Sequence, residues 1–235
     1  MELTTIIFWV LIICLLLGYF SYLHFISPSS SRESVSSLTE DASIIALIII
    51  MGFVPQFGYI TIVPGVSLTL LHLPVLIGAY RGDWKRGILY GVAFGLTSWF
   101  QAMQNAAGLN AFFVYPWVSV LPRALFGFFA GLAFFFLKKG NKLYRNGFVI
   151  AAISFALTLL HTGLVFADLF LFYPTEMISF FSLSSPIGNG IVVGVTTILL
   201  LGGLGEATLG AIFTPLVGKT LTKLHAEFQK ISEEL

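Results

Sequence analysis

Charge is scarce in this chain: Asp, Glu, Lys and Arg make up only 10% of its 235 residues, and their balance is +1. A soluble domain draws about a quarter of its residues from those four types, so the composition excludes an ordinary water-exposed globule. The near-neutral balance also removes the basic field that nucleic acid would require. Cysteine is nearly absent as well. Cys14 stands alone, which excludes an intrachain disulfide and a thiolate metal centre. Neither HExxH nor GxSxG occurs, and no Ser/His/Asp grouping can be argued from spacing. Gly218-Lys219-Thr220 imitates the end of a phosphate-binding loop, but the glycine required five places before Gly218 is Phe213. No enzymatic activity, ATPase, metal or cofactor is therefore expected of this chain itself.

What fills the sequence is hydrocarbon. Apolar residues account for 57% of it, and its mean hydropathy is +0.94. A helix crosses about 30 Å of lipid core with roughly 20 apolar residues, and several stretches reach that length. The fold class expected is an all-α integral membrane protein, because no alternating strand pattern is long enough for a barrel and helices are then the spanning elements. Residues 1–26 read as an extra N-terminal transmembrane helix: no Lys or Arg precedes the apolar run and no small-residue cleavage site follows it. Residues 27–41 are serine-rich and polar, the composition of a solvated linker. Residues 42–235 then form a six-helix domain, with spans expected over Ala42–Gly58, Val66–Tyr80, Gly87–Met103, Trp117–Leu137, Phe148–Tyr173 and Ile191–Val217.

The cations orient these spans. Of twelve Lys and Arg residues, all but Arg123 fall in segments that alternate to one side, chiefly RGDWKRG after Tyr80, KKGNKLYRN after Leu137 and the tail after Val217. By the positive-inside rule those segments are cytoplasmic, which places Pro55–Gly65, Gln104–Pro116 and Pro174–Gly190 outside.

Arg123 is the exception with meaning. It lies about six residues into its span from the outer end, roughly 9 Å deep at 1.5 Å per residue. A central Arg costs about 2.5–3.5 kcal/mol even on the lenient insertion scale. Such a guanidinium either holds a carboxylate or phosphate in an outward-open pocket or closes a structural ion pair with Glu206 or Asp168. Glu206, among Gly202, Gly203 and Gly205, either accepts hydrogen bonds from a ligand, stays neutral in packing, or pairs with Arg123. His161 is a candidate ligand contact that more often would satisfy a neighbouring group. His72 reads as structural, because Pro74 frees a backbone carbonyl that needs compensation. Trp99, Gln101 and Asn105 gather near the outside with Gln56 and Tyr59, the mixture of aromatic walls and sparse polar groups that a small-molecule site uses. The bland alternative for these five is an aromatic belt with polar helix ends. Small residues recur at four-residue spacing, as in Gly87, Gly91 and Gly95 or Gly127 and Gly131, and most of these should pack helix on helix. Ala42 and Ala46 instead offer a flat face to a partner's helix.

Three blocks, GFVPQFGYITIVPGVSLTLLHLPVLIGAY, GILYGVAFGLTS and SVLPRALFGFFAGL, make the chain resemble the substrate-binding S components of energy-coupling-factor (ECF) vitamin transporters over roughly residues 42 to 225, in the branch that includes the pantothenate-specific members. The resemblance implies a six-helix S-component-like bundle in a prokaryotic plasma membrane. It implies capture of a vitamin from outside, docking on a membrane scaffold (T) subunit that carries two cytoplasmic ATPases, and toppling to release the cargo inward, with ATP used by those partners. It also places Ala42 and Ala46 at the scaffold contact and Gln101, Asn105, Arg123, His161 and Glu206 at the substrate. Pantothenate suits a site with one carboxylate-holding Arg and aromatic walls. The alternatives are another small nutrient of hydroxymethylpyrimidine or pyridoxine type, or a seven-helix receptor or membrane-assembly protein.

Overall fold

The computed structural model describes Val10, Cys14 and residues 31–54, 57–63, 66–104, 106, 108–140, 144, 146–183 and 202–234. The extra helix expected over residues 1–26, apart from Val10 and Cys14, lies outside the described residues. So do residues 27–30 of the linker and the first half of the last span.

Helix α1 runs over Ser31–Phe53, so residues 31–41, expected to be linker, extend the first core helix instead. The reason is tertiary. Glu40 accepts two hydrogen bonds from Arg81, from Nε and from Nη2 at 3.2 Å. Asp41 is fully buried, accepts from the Tyr90 hydroxyl and lies 3.4 Å from Arg86 Nε. Polar residues of the kind that solvate a free linker here meet charged and hydroxyl partners on two other helices, which offsets the cost of ordering them. Removing the Tyr90 hydroxyl leaves a buried carboxylate oxygen short of a donor. Tyr90→Phe should therefore cost about 1–3 kcal/mol, seen as a lower thermal unfolding midpoint of the purified protein.

The second expected span is also revised. Tyr59–Val63 (β1) and Val66–Thr69 (β2) form an antiparallel two-stranded sheet pairing Tyr59 with Thr69 and Thr61 with Ser67, so Val66–Tyr80 is not one helix. Hydropathy cannot distinguish a short apolar strand from the start of a helix. The β-branched run on either side of Pro64-Gly65 is a hairpin signal. Helix α2, His72–Arg81, has only 10 residues, about 15 Å at 1.5 Å per residue. Non-helical backbone at this depth is tolerated where protein buries it, and the Thr69 N–H and carbonyl both find side-chain partners, described below.

Among the described elements, helices α3 (Trp84–Gln104) and α4 (Pro116–Lys139) make the most extensive contact. A Cβ added at Gly91 would strike the Arg123 carbonyl oxygen, one at Gly127 the Gly87 carbonyl oxygen, and one at Gly95 would come within 2.7 Å of Val120 Cα. Only glycine lets the two backbones touch. The stripe of small residues thus packs helix on helix and fixes the height at which α4 carries Arg123. A 3₁₀ segment, Gly108–Val114, joins α3 to α4. Helix α5, Gly147–Phe172, begins at Asn146, whose side chain accepts from Phe148 N at 3.0 Å. Helix α6, Pro174–Leu183, occupies part of the expected outer loop, and α7, Leu204–Glu234, carries the basic tail as helix.

Among the described residues, α4 and α5 are long and apolar enough to cross a membrane. The central core is built on Tyr80, Tyr90, Phe94, Phe126 and Phe134, all fully or almost fully buried. Basic segments meet at one end. Lys138 Nζ donates to the carbonyls of Arg81 and Gly82, each at 2.6 Å, and Lys219 lies beside Gly147. The hairpin, the 3₁₀ segment and the amino-terminal end of α4 lie at the other end, as the alternation of charge predicts.

Candidate functional site

The site is built around a helix defect. Pro122 lacks the N–H that would bond the Val118 carbonyl one turn earlier, and the next residue repairs the gap. Arg123 folds back along α4 and donates from Nη1 to the Val118 and Ser119 carbonyls, 3.1 Å each. The side chain is thereby aimed at the amino-terminal end of the helix and held there. It is 8% exposed, and its Nε has no hydrogen-bond partner among the described residues. The guanidinium carbon sits 4.6 Å from the centre of the Phe113 ring and 5.7 Å from that of Phe94, contacts that stabilise a cation without neutralising it. No ion pair among the described residues includes Arg123. One edge of the group is anchored, both aromatic walls are in place, and hydrogen-bonding capacity remains for an anion.

Phe94 links this group to His161. The imidazole lies 5.4 Å from the Phe94 ring and 4.8 Å from Phe126, is 4% exposed, and has no partner on either nitrogen among the described residues. Tyr59, Asp168 and Glu206 lie within electrostatic reach of the guanidinium. The Tyr59 hydroxyl shares a hydrogen bond of 2.9 Å with Ser98 Oγ, tying the hairpin to α3.

Glu206 sits where a π-helical turn at residues 202–203 leads into α7. Its Oε1 accepts from the Thr69 backbone N–H, and its own carbonyl lies 3.1 Å from His72 Nε2. His72 Nδ1 in turn is 2.6 Å from the Thr69 carbonyl. Glu206 and His72 thus close the end of the hairpin onto α7. The compensation expected of His72 goes to Thr69. The carbonyl that Pro74 frees, that of Leu70, is bonded by Leu73 N at 3.0 Å.

The structure brings Arg123, Tyr59, Glu206 and His161 together. Trp99 and Gln101 have their side-chain donors engaged elsewhere. Trp99 packs with Leu96 and Phe100 and spends its one donor on the Val114 carbonyl at 2.7 Å; Gln101 Nε2 donates to the Gly52 carbonyl. Both brace the carboxy-terminal end of α3. Gln56 and Asn105 lie outside the described residues. Ala42 and Ala46 are exposed on α1, on the side opposite the buried Ile44, Ile45 and Ile48. Sequence reading missed the two aromatic walls, since Phe94 and Phe113 do not stand out among 24 phenylalanines. It also missed the buried hydroxyls of Ser154, Thr158 and Thr162, whose spacing along one face of α5 was the available signal.

Residues 36–218 match the family described as ECF transporter, substrate-specific component. The chain is similar to the "Pantothenic acid transporter PanT" of Lactococcus lactis subsp. cremoris, 30% identical over 207 residues that span 82% of this chain and 96% of that protein. It is also similar to the "Pantothenate transporter PanT" of Leuconostoc mesenteroides subsp. mesenteroides, 28% identical over 120 residues, 49% of this chain and 56% of that one.

Proposed function

Given that this chain belongs to the ECF transporter substrate-specific components, we propose that it captures pantothenate at the outer face of a prokaryotic plasma membrane and surrenders it inward after docking on an ATPase-coupled scaffold subunit. The observation that carries this reading is the Arg123 guanidinium, buried beneath the outer end of α4, anchored by one nitrogen and left without a counter-ion among the described residues. A cation stored in that state calls for an anion, and an apolar wall calls for a ligand with hydrocarbon to bury. Pantothenate has a carboxylate at one end and a branched alkyl group at the other. The two relatives above carry pantothenate in their names, which supports the same choice.

The reaction is binding and release, not bond chemistry. Tyr59 and Glu206 couple the hairpin to α3 and α7, so movement of the hairpin alters the roof of the site. The exposed face of Ala42 and Ala46 on α1 is where a scaffold helix would approach closely. ATP acts on the partner subunits, and the force reaches this chain through that face.

The direct experiment is titration of the purified full chain with a vitamin panel. Tight binding of pantothenate, with hydroxymethylpyrimidine and pyridoxine at least about 100-fold weaker, is the expected result. Preference for either of the other two would replace pantothenate with that nutrient. Absence of binding to any of them, with no scaffold copurifying, would favour the receptor or assembly reading.

A further inference from the structure

Arg123 has an acidic neighbour with which it does not pair. Asp168 lies on α5 two turns beyond His161, on the same face of the helix. It is 7% exposed, and its Oδ2 has no hydrogen-bond partner among the described residues. The two groups feel each other's charge, and Leu169, next in sequence, packs in one cluster with Phe113, whose ring covers the guanidinium. An ion pair would be the ordinary outcome for two buried opposite charges so placed. Arg123 instead turns Nη1 onto the Val118 and Ser119 carbonyls, and the carboxylate oxygen is left without a donor.

A buried acceptor without a donor is costly, and native structures keep few of them. Three such groups occur at Arg123 or within its electrostatic reach: its own Nε donor, the two His161 ring nitrogens and the Asp168 Oδ2 acceptor. Their complement is a ligand that is an acceptor at one place and a donor at another. Resting on the functional reading above, we infer that Asp168 is a specificity-determining residue whose Oδ2 accepts a hydrogen bond from a ligand hydroxyl, while Arg123 takes the ligand's carboxylate. Pantothenate, with two hydroxyls on its branched end, has that polarity. A merely apolar acyl-amide acid does not.

A cycle of variants against ligands tests this. The purified full chain, Asp168→Asn and Asp168→Leu are each titrated with pantothenate and with the analogue in which both hydroxyls are replaced by hydrogen. Asp168→Leu removes a charge-assisted acceptor and should weaken pantothenate about 10- to 100-fold. Asp168→Asn keeps an acceptor without the charge and should fall between the wild type and Asp168→Leu. Binding of the dideoxy analogue should not weaken in either variant and should tighten as the negative charge near Arg123 is removed, because that ligand has no donor to lose. If Asp168 served only as background charge near Arg123, both variants would shift the two anionic ligands equally and upward, and the inference would be overturned. Equal losses for both ligands would overturn it too, by showing that the variants damage packing instead. Wild-type protein that binds no pantothenate would remove the functional reading and this inference together. Wild-type binding without a ligand-dependent difference would remove this inference alone.

Discussion

Arg123→Ala is expected to weaken pantothenate binding by at least about 100-fold, or about 3 kcal/mol. Truncating one partner of a desolvated, hydrogen-bonded charge pair costs about 2–5 kcal/mol, because the ligand carboxylate then enters a site with no cation to meet it. Phe94 and Phe113 would remain, but their faces repel an anion. Arg123→Lys keeps the charge and loses the planar fork, so about tenfold weakening is expected. The substitution to Ala also leaves the Val118 carbonyl, already deprived of its helical donor by Pro122, without its Arg123 contact. A melting curve therefore accompanies the titration: a modest fall in midpoint with a large fall in affinity is the predicted combination.

The second large effect concerns transport and not binding. Replacing Ala42 and Ala46 together with Trp should abolish vitamin uptake by cells, to below about a tenth of the wild-type rate, while pantothenate affinity of the purified chain stays within about twofold. Both alanines are exposed and α1 buries its opposite side in the core, so the indoles point away from the core of the described residues. They would instead hold a partner helix several ångströms away, beyond the range at which small-residue seams pack. Copurification of the scaffold subunit with the variant should fail in parallel. Normal uptake by the double variant would place the docking face elsewhere.

Much of the architecture was legible because long apolar runs between basic loops leave few choices. The expected Gly87–Met103, Trp117–Leu137 and Phe148–Tyr173 lie within three residues of α3, α4 and α5 at each end. The failures have a common cause. Residues 31–41 looked solvated, and Val66 looked like the start of a span, because composition reports what a segment prefers and not whom it meets. Asp41 finds Tyr90 and Arg86; the Thr69 amide finds Glu206. Those partners are 49, 45 and 137 residues distant in sequence, and neither pattern nor propensity encodes them.

The site divides in the same way. Arg123, His161 and Glu206 declared themselves as polar groups in apolar sequence, which is an expensive condition and so an informative one. Trp99 and Gln101 stood out differently, as an aromatic and a polar group near one end of a span, and their donors go to the Val114 and Gly52 carbonyls. The sequence shows that a donor exists but not which acceptor it reaches. Asp168 is the converse case. It was legible only as a possible counter-ion, and its unpaired state beside Arg123 emerges from the rotamer that Pro122 imposes on its neighbour by freeing a carbonyl.

The most direct test of the central claim compares pantothenate with the alcohol in which its carboxylate is replaced by a hydroxymethyl group, each titrated into the wild-type chain and Arg123→Gln. An anion held by a stored guanidinium predicts that the wild type prefers the acid by more than about 100-fold and that the variant loses that preference. Equal affinity of the wild type for acid and alcohol, or a preference undiminished in Arg123→Gln, would contradict it.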